Sequence, residues 1–190
     1  MPRRGVEFLI GEFYHLYNRG VDRGPIFHGP ENYRYFLGLL HNKARRHEIE
    51  LAVYCLMPNH FHLLVRPGRE DSVSPFLAGV CGSYAQALNA RRERVGALFQ
   101  GRYRAEHVDR DAYLMHLARY IHINPVAAGL VVRPQDWPYS NYRDTIAGRQ
   151  AFAADGPLFG GLFPTGRAYR DFVERPQTVE LPGSFKLPGS

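Results

Sequence analysis

The sequence predicts an α+β domain in which an antiparallel sheet is backed by helices in a split βαβ order. Three observations lead there. Strand-like and helix-like stretches follow one another as strand, helix, strand, strand, helix, strand, helix. Two strand-like runs flank the turn-forming Met57-Pro58-Asn59, and the longer stretches between strands carry apolar residues at helical spacing.

Tyr14-His15-Leu16-Tyr17-Asn18-Arg19 reads as the first strand, rich in aromatic residues and ended by Gly20. Residues 31–47 read as the first helix, with Tyr35, Phe36, Leu39 and Leu40 at helical spacing. Residues 50–56 and 60–66 form a hairpin around Pro58 and Asn59. Residues 74–94 make a second helix, where Pro75 follows the cap candidate Ser74 and Phe76, Leu77, Val80, Tyr84 and Leu88 form one stripe. Leu98-Phe99 and residues 103–108 read as a further strand region interrupted by Gly101. Asp109 is the cap expected for a third helix from Arg110 to about Ile123, which Pro125 is expected to stop. A short helix is expected over residues 168–174.

The chain has 190 residues, enough for one domain with a real core. We divide it into a domain over residues 1–150 and a C-terminal extension over 151–190, rich in Pro and Gly from about residue 175. The longest apolar run, residues 51–57, is far short of the roughly 20 residues a membrane span needs. The basic start Met1-Pro2-Arg3-Arg4 leads into Gly5, Glu7 and Glu12 rather than an apolar segment, so we expect no secretory signal and a cytoplasmic location. Cys55 and Cys81 are too few for a disulfide framework or a zinc ribbon and read as core thiols.

The net charge of +6 and pI near 9.5 favour a polyanionic partner. Residues 151–190 hold four basic and four acidic residues, so the first 150 carry the whole excess, 20 against 14. All but two of the 24 basic residues are arginines, whose planar forks suit phosphates and base edges; a GC-rich genome would give the same bias.

His60-Phe61-His62 places two imidazoles on one face of a strand and the phenylalanine ring on the other. Such a pair is either a metal-binding pair or two half-buried polar residues. Tyr120 and Asn124 lie four apart and share a face of the third helix. They read either as an ordinary packed Tyr with a helix-capping Asn or, with the histidines, as one device. In the second case His60, His62 and Asn124 are neutral ligands, so a divalent cation keeps its full charge to polarise a phosphate oxygen, and Tyr120 is a nucleophile for phosphorus.

The order and spacing of five stretches are then informative together: Tyr14 to Gly20, Met57-Pro58-Asn59-His60-Phe61-His62, Phe99-Gln100-Gly101-Arg102-Tyr103, Tyr120-Ile121-His122-Ile123-Asn124-Pro125 with Ala128-Gly129-Leu130, and Trp137-Pro138-Tyr139-Ser140-Asn141-Tyr142. On these the chain resembles the REP-associated tyrosine transposases of the His-hydrophobic-His superfamily of single-strand DNA endonucleases. The resemblance implies a ferredoxin-like catalytic domain, Mg2+ or Mn2+ held by His60, His62 and Asn124, and Tyr120 as nucleophile, leaving a 5′-phosphotyrosine link and a free 3′-OH. It implies single-stranded DNA from hairpin-forming extragenic palindromes as substrate, a monomer, and nucleoid association. In the insertion-sequence relatives the third ligand is often Gln, so Asn124 sides with the REP-associated branch. Imidazole suits Zn, Fe, Ni or Cu as well as Mn, so the choice of metal rests on the resemblance.

The expected DNA surface consists of Arg91, Arg92, Arg94, Arg102 and Arg104 with Tyr103 interleaved, joined by Arg19, Arg23 and Arg119. Arg119 adjoins the nucleophile and is a candidate for the scissile phosphate. The alternative function is a domesticated DNA-binding regulator that uses this surface without cleavage. A zinc hydrolase is disfavoured because the motif stretches contain no Asp or Glu to act as a base. The neutral tail is expected to lie over the DNA groove and dampen activity.

Overall fold

Along β1 (Phe13–Arg19), Tyr14 and Leu16 point into one apolar cluster while His15 and Tyr17 point to the opposite face, and all four are buried. A strand buried on both sides must lie inside a sheet covered on both faces. The computed structural model, which describes residues 6–149 and 161–175, shows that arrangement. Its sheet has the order β2-β3-β1-β4, with β2 (Ile49–Met57), β3 (His60–Pro67) and β4 (Arg104–Val108). All neighbours are antiparallel. β1 and β2 are joined through helix α1 (Pro30–Arg46), and β3 lies between them, the split βαβ order expected from the sequence.

Helices α1 and α2 (Val73–Arg91) cover one face, where Phe36, Leu40, Phe76, Val80 and Tyr84 pack on Leu16, Phe61, Leu63 and Val65. Helices α3 (Asp111–Ala127), α4 (Tyr142–Ile146) and α5 (Gly166–Glu174) cover the other, where Leu114, Leu117, Ile121, Tyr142 and Tyr169 meet Val53, Cys55, Met57 and Leu64. Phe163, Tyr169 and Val173 belong to this second core, so the described part of the C-terminal extension is not an appendage. The tail beyond residue 175, expected to lie over the DNA groove, falls outside the described residues.

Several local expectations are corrected. Pro125 does not stop α3: it is buried in the last turns, and the helix continues to Ala127. Proline costs a helix one N–H bond and crowds the preceding turn, and so close to the end few bonds remain to be lost. The stop is Gly129 at φ 68°, with Leu130 N–H donating to Pro125 O and Gly129 N–H to Val126 O, both at 2.9 Å. Asp109 does not cap α3. Arg110 occupies the cap position without a side-chain bond, and Asp109 pairs with it at 3.8 Å. Helix α2 starts at Val73, before Ser74, and the Ser72 hydroxyl that precedes it donates to Arg69 O. Leu98 and Phe99 form no strand; Phe99 makes a single bridge to Gly20 between the left-handed Gly96 and Gly101.

The stretch from Trp137 to Tyr142 closes the edge of β2. Leu56 N–H donates to Tyr139 O at 2.9 Å, Trp137 Nε1–H donates to Leu56 O, and Tyr139 stacks on Tyr33 with centroids 3.7 Å apart. Asn141 reaches under that edge at the bulge between Leu51 and Val53. Its Oδ1 accepts from Tyr54 N–H and its Nδ2 donates to Ala52 O. This fixes the amide orientation, so His122 Nε2–H, 2.9 Å away, donates to the same Oδ1. His122 Nδ1 then accepts from Tyr169 O–H at 2.7 Å. One buried amide thus ties β2, α3 and, through the imidazole, α5. Asn141→Ala strands three buried polar groups at roughly 1–3 kcal/mol each before relaxation. We expect a net loss of about 3 kcal/mol, a fall of roughly 6–12 °C in Tm by thermal denaturation.

Candidate active site

The site lies on the sheet face under α3. In the β1–β3 register Arg19 stands opposite His60 and Tyr17 opposite His62, and across β2 Met57 and Cys55 flank the same two histidines. The two imidazoles therefore sit side by side as the alternation requires, with ring centroids 5.0 Å apart. Phe61 is fully buried on the opposite face, 5.3 Å from Phe36, and gives the pair a rigid mount. Tyr120 hangs from α3 with its ring 5.4 Å from that of His62. Asn124 follows one turn later. Since Gly129 ends the helix, Asn124 is not the cap; its Nδ2 is buried without a hydrogen bond of ordinary geometry.

Both histidines have one nitrogen committed. Asn59 Nδ2 donates to Arg23 O at 2.9 Å, which turns its Oδ1 to His60 Nδ1 at 2.7 Å. That nitrogen must carry the proton, and Nε2 of His60 keeps its lone pair. His62 Nδ1 is 3.0 Å from His15 Nε2, while His62 Nε2 is fully buried and unpartnered. Burial lowers all three rings: His60 to about 4, with the Arg19 charge adding to the effect, His62 well below its ordinary value, and His15 less so because Glu106 opposes the shift. They are neutral at pH 7, the state in which imidazole binds metals. Burial also pushes the Tyr120 phenol up to about 12, with Asn124 pulling the other way.

Among the described residues no group of three His, Cys, Asp or Glu converges on one point. A cation here would be held by two imidazoles and an amide. The donor chemistry fits that role: both imidazoles are neutral, His60 keeps a lone pair at Nε2, His62 Nε2 is buried without a partner, and the Asn124 amide would offer its oxygen.

Three residues of this face, His15, Tyr17 and Glu106, carry no site role in the sequence reading. His15, Tyr17 and Tyr113 surround Glu106 of β4, whose carboxylate accepts from Tyr17 O–H at 2.7 Å and Tyr113 O–H at 3.4 Å and faces His15 Nδ1 at 3.9 Å. A carboxylate therefore does reach the site, but behind His62. The only signal for it was alternation on β1, which puts His15 and Tyr17 on one face; nothing local pairs them with residue 106.

The expected DNA-binding residues separate into groups. Arg19 bonds Gln100 beside His60, and Arg23 is exposed next to Asn59. Arg91, Arg92 and Arg94 are exposed at the end of α2; burial lowers the pKa of His28 and the charges of Arg92 and Arg94 add to it, which places them close to the loop whose Phe27 N–H donates to Pro58 O. These form a basic rim at the His60 end of the sheet. Arg104 is exposed on the site face of β4. Arg102 lines a separate groove with Ser74 and Pro75. Tyr103 is buried in the first core, so it offers no ring for stacking on a base. Arg119 turns to α5, where its Nη2 donates to Arg175 O at 2.8 Å. Neighbouring residues on a helix point about 100° apart, so Arg119 cannot share the direction of Tyr120.

A four-stranded split-βαβ sheet carrying an H-x-H pair beneath a helical tyrosine is the architecture of small tyrosine transposases. The IS200-like transposase family matches residues 12–124, and the chain belongs to it. It is similar to a REP-associated tyrosine transposase of Haemophilus influenzae, 27% identical over 113 residues that cover 54% of this chain and 64% of that protein. A REP-associated tyrosine transposase solved bound to a REP hairpin has the same fold, with a TM-score of 0.66 at 19% identity over 83% of this chain and 93% of that one. No described helix is long and apolar enough to cross a membrane.

The buried histidines make stability depend on pH. His60 and His122 both have folded values near 4 against 6.5 when free. Their contribution is full above pH 6.5 and is lost as the pH falls through about 4, because only the unfolded chain takes up the protons in that window. For fully buried His122 alone the loss is about 3 kcal/mol. Tm measured from pH 7.5 to 4 should fall steadily below pH 6.5; a flat profile would contradict neutral burial.

Proposed function

We propose that the chain is a cation-dependent single-strand DNA endonuclease and strand transferase acting, as a monomer, on hairpins formed by repetitive extragenic palindromes. The observation that carries this reading is the placement of Tyr120 5.4 Å from His62, beside two neutral imidazoles that share one strand face. The hairpin-bound structure of the relative supports the substrate.

In this reading the Tyr120 oxygen attacks phosphorus, the P–O3′ bond breaks, and the departing 3′-oxygen takes up a proton as the phenol gives one up. The product is a 5′-phosphotyrosine link and a free 3′-OH. Attack by a 3′-OH on that link reforms the phosphodiester and returns the phenol. No water need be activated, so the phosphoryl bond is conserved between the steps. The burial that raises Tyr120 keeps it protonated at rest. Bound Mg2+ or Mn2+, held by His60, His62 and Asn124, would polarise a phosphate oxygen and ease phenol ionisation. The half-buried Arg19 and the exposed Arg23, Arg91, Arg92 and Arg94 would hold the backbone of the entering strand.

Incubation with an end-labelled hairpin bearing a single-stranded flank and Mn2+ should give a covalent protein–DNA adduct, absent from Tyr120→Phe. Binding without an adduct in the wild type would favour the non-cleaving regulator. Hairpin affinity should also fall steeply between about 50 and 200 mM salt, and Arg92→Ala with Arg94→Ala should flatten the log–log slope by roughly one to two.

A further inference from the structure

A line of polar contacts runs from Glu106 on β4 through His15 on β1 to His62 on β3, an electrostatic contact at the first step and hydrogen-bond distance at the second. His62 is fully buried, and its Nδ1 lies 3.0 Å from Nε2 of His15, itself 1% exposed. His15 Nδ1 faces Glu106 Oε2 at 3.9 Å. Glu106 receives O–H donors on both oxygens, from Tyr17 and Tyr113, so it acts as an acceptor throughout.

These contacts permit one consistent placement of protons. A carboxylate has only lone pairs to offer, so the His15 nitrogen that faces it carries a proton. The neutral ring then has a lone pair at Nε2. His62 Nδ1 lies 3.0 Å from that lone pair and therefore carries N–H. The remaining nitrogen, His62 Nε2, is left as a lone pair, buried and without a partner. His60 reaches the same state through a different acceptor, Asn59 Oδ1.

We infer that Glu106 and His15 are positioning residues: they hold His62 in the Nδ1–H tautomer and so keep its Nε2 available as a cation ligand. The inference rests on the reading of His60, His62 and Asn124 as ligands for its functional meaning, but the tautomer itself is a property of the chain without metal. A carboxylate behind a ligating imidazole usually acts directly; here a second imidazole passes the constraint on. Neither residue touches substrate or the reacting atoms.

The decisive measurement is the side-chain 15N spectrum of the full metal-free chain with labelled histidine, where the two neutral tautomers have distinct nitrogen shifts. The wild type should show His15 and His62 both as Nδ1–H. Glu106→Gln can offer an amide N–H to His15 instead, which would reverse both rings and put the proton on His62 Nε2. Mn2+ affinity by calorimetry should then weaken roughly 10- to 100-fold, with Tm and metal-free hairpin affinity retained. Glu106→Asp, which keeps the carboxylate, should restore the wild-type tautomers. An Nε2–H signal for His62 in the wild type overturns the inference without recourse to any variant, as does a Glu106→Gln spectrum and affinity unchanged from wild type. If the wild type shows the expected tautomers yet binds no Mn2+, the relay stands and the cation reading of the site falls.

Discussion

Strand β3 is buried on both faces, and that constraint organises the rest of the molecule. Phe61, Leu63 and Val65 are sealed under α1 and α2, while His62 and Leu64 are sealed under α3. An imidazole in that position cannot turn to water, so each of its nitrogens must be met by protein or left for a ligand. Asn59 meets one nitrogen of His60, and His15 meets one of His62. The nitrogens left over both belong to the Nε2 side. An unmet buried lone pair costs about 1–3 kcal/mol, a cost that a fold sustains at a working site.

The second constraint is the seating of α3, whose Tyr120 and Asn124 are useful only if the helix lies at the right height above β3. It is set from outside the helix. Asn141 spans the bulged edge of β2 and holds His122, which also binds Tyr169 of α5. Arg119 adds a second tie to the end of α5. The residues that follow α3 in the chain therefore position it, and the same stretch covers a sheet edge that would otherwise be open to pairing with another chain.

Charge is arranged around this core in a consistent way. The arginines of the rim stand at the sheet end that carries His60, and Arg19 links the two, lowering the ring's proton affinity from beside it. Glu106, the acid of the site face, is kept one imidazole away from His62. A basic rim around a neutral, buried pair of histidines would meet the charge of a polyanion first at the rim.

The order of elements, the facing of His60 and His62, the opposite burial of Phe61 and the pairing of Tyr120 with Asn124 were all legible in the amino-acid sequence, because each depends on a period of 2 or 3.6 within one element. The end of α3 was misread because Pro125 is a strong local signal, while Gly129, four residues on, supplies the bonds that end the helix. The turn of Arg119 toward α5 and the burial of Tyr103 were not legible, because neither the direction of a helical side chain nor the burial of a loop aromatic is written in spacing. His15 with Glu106 and His122 with Asn141 belong to the tertiary structure alone. Their members are 91 and 19 positions apart, and no local preference favours either pair. His15 and Glu106 meet because the sheet order β2-β3-β1-β4 sets β4 beside β1, and His122 and Asn141 meet because α3 and the segment along the β2 edge pack on the same face; burial then requires their polar atoms to find one another.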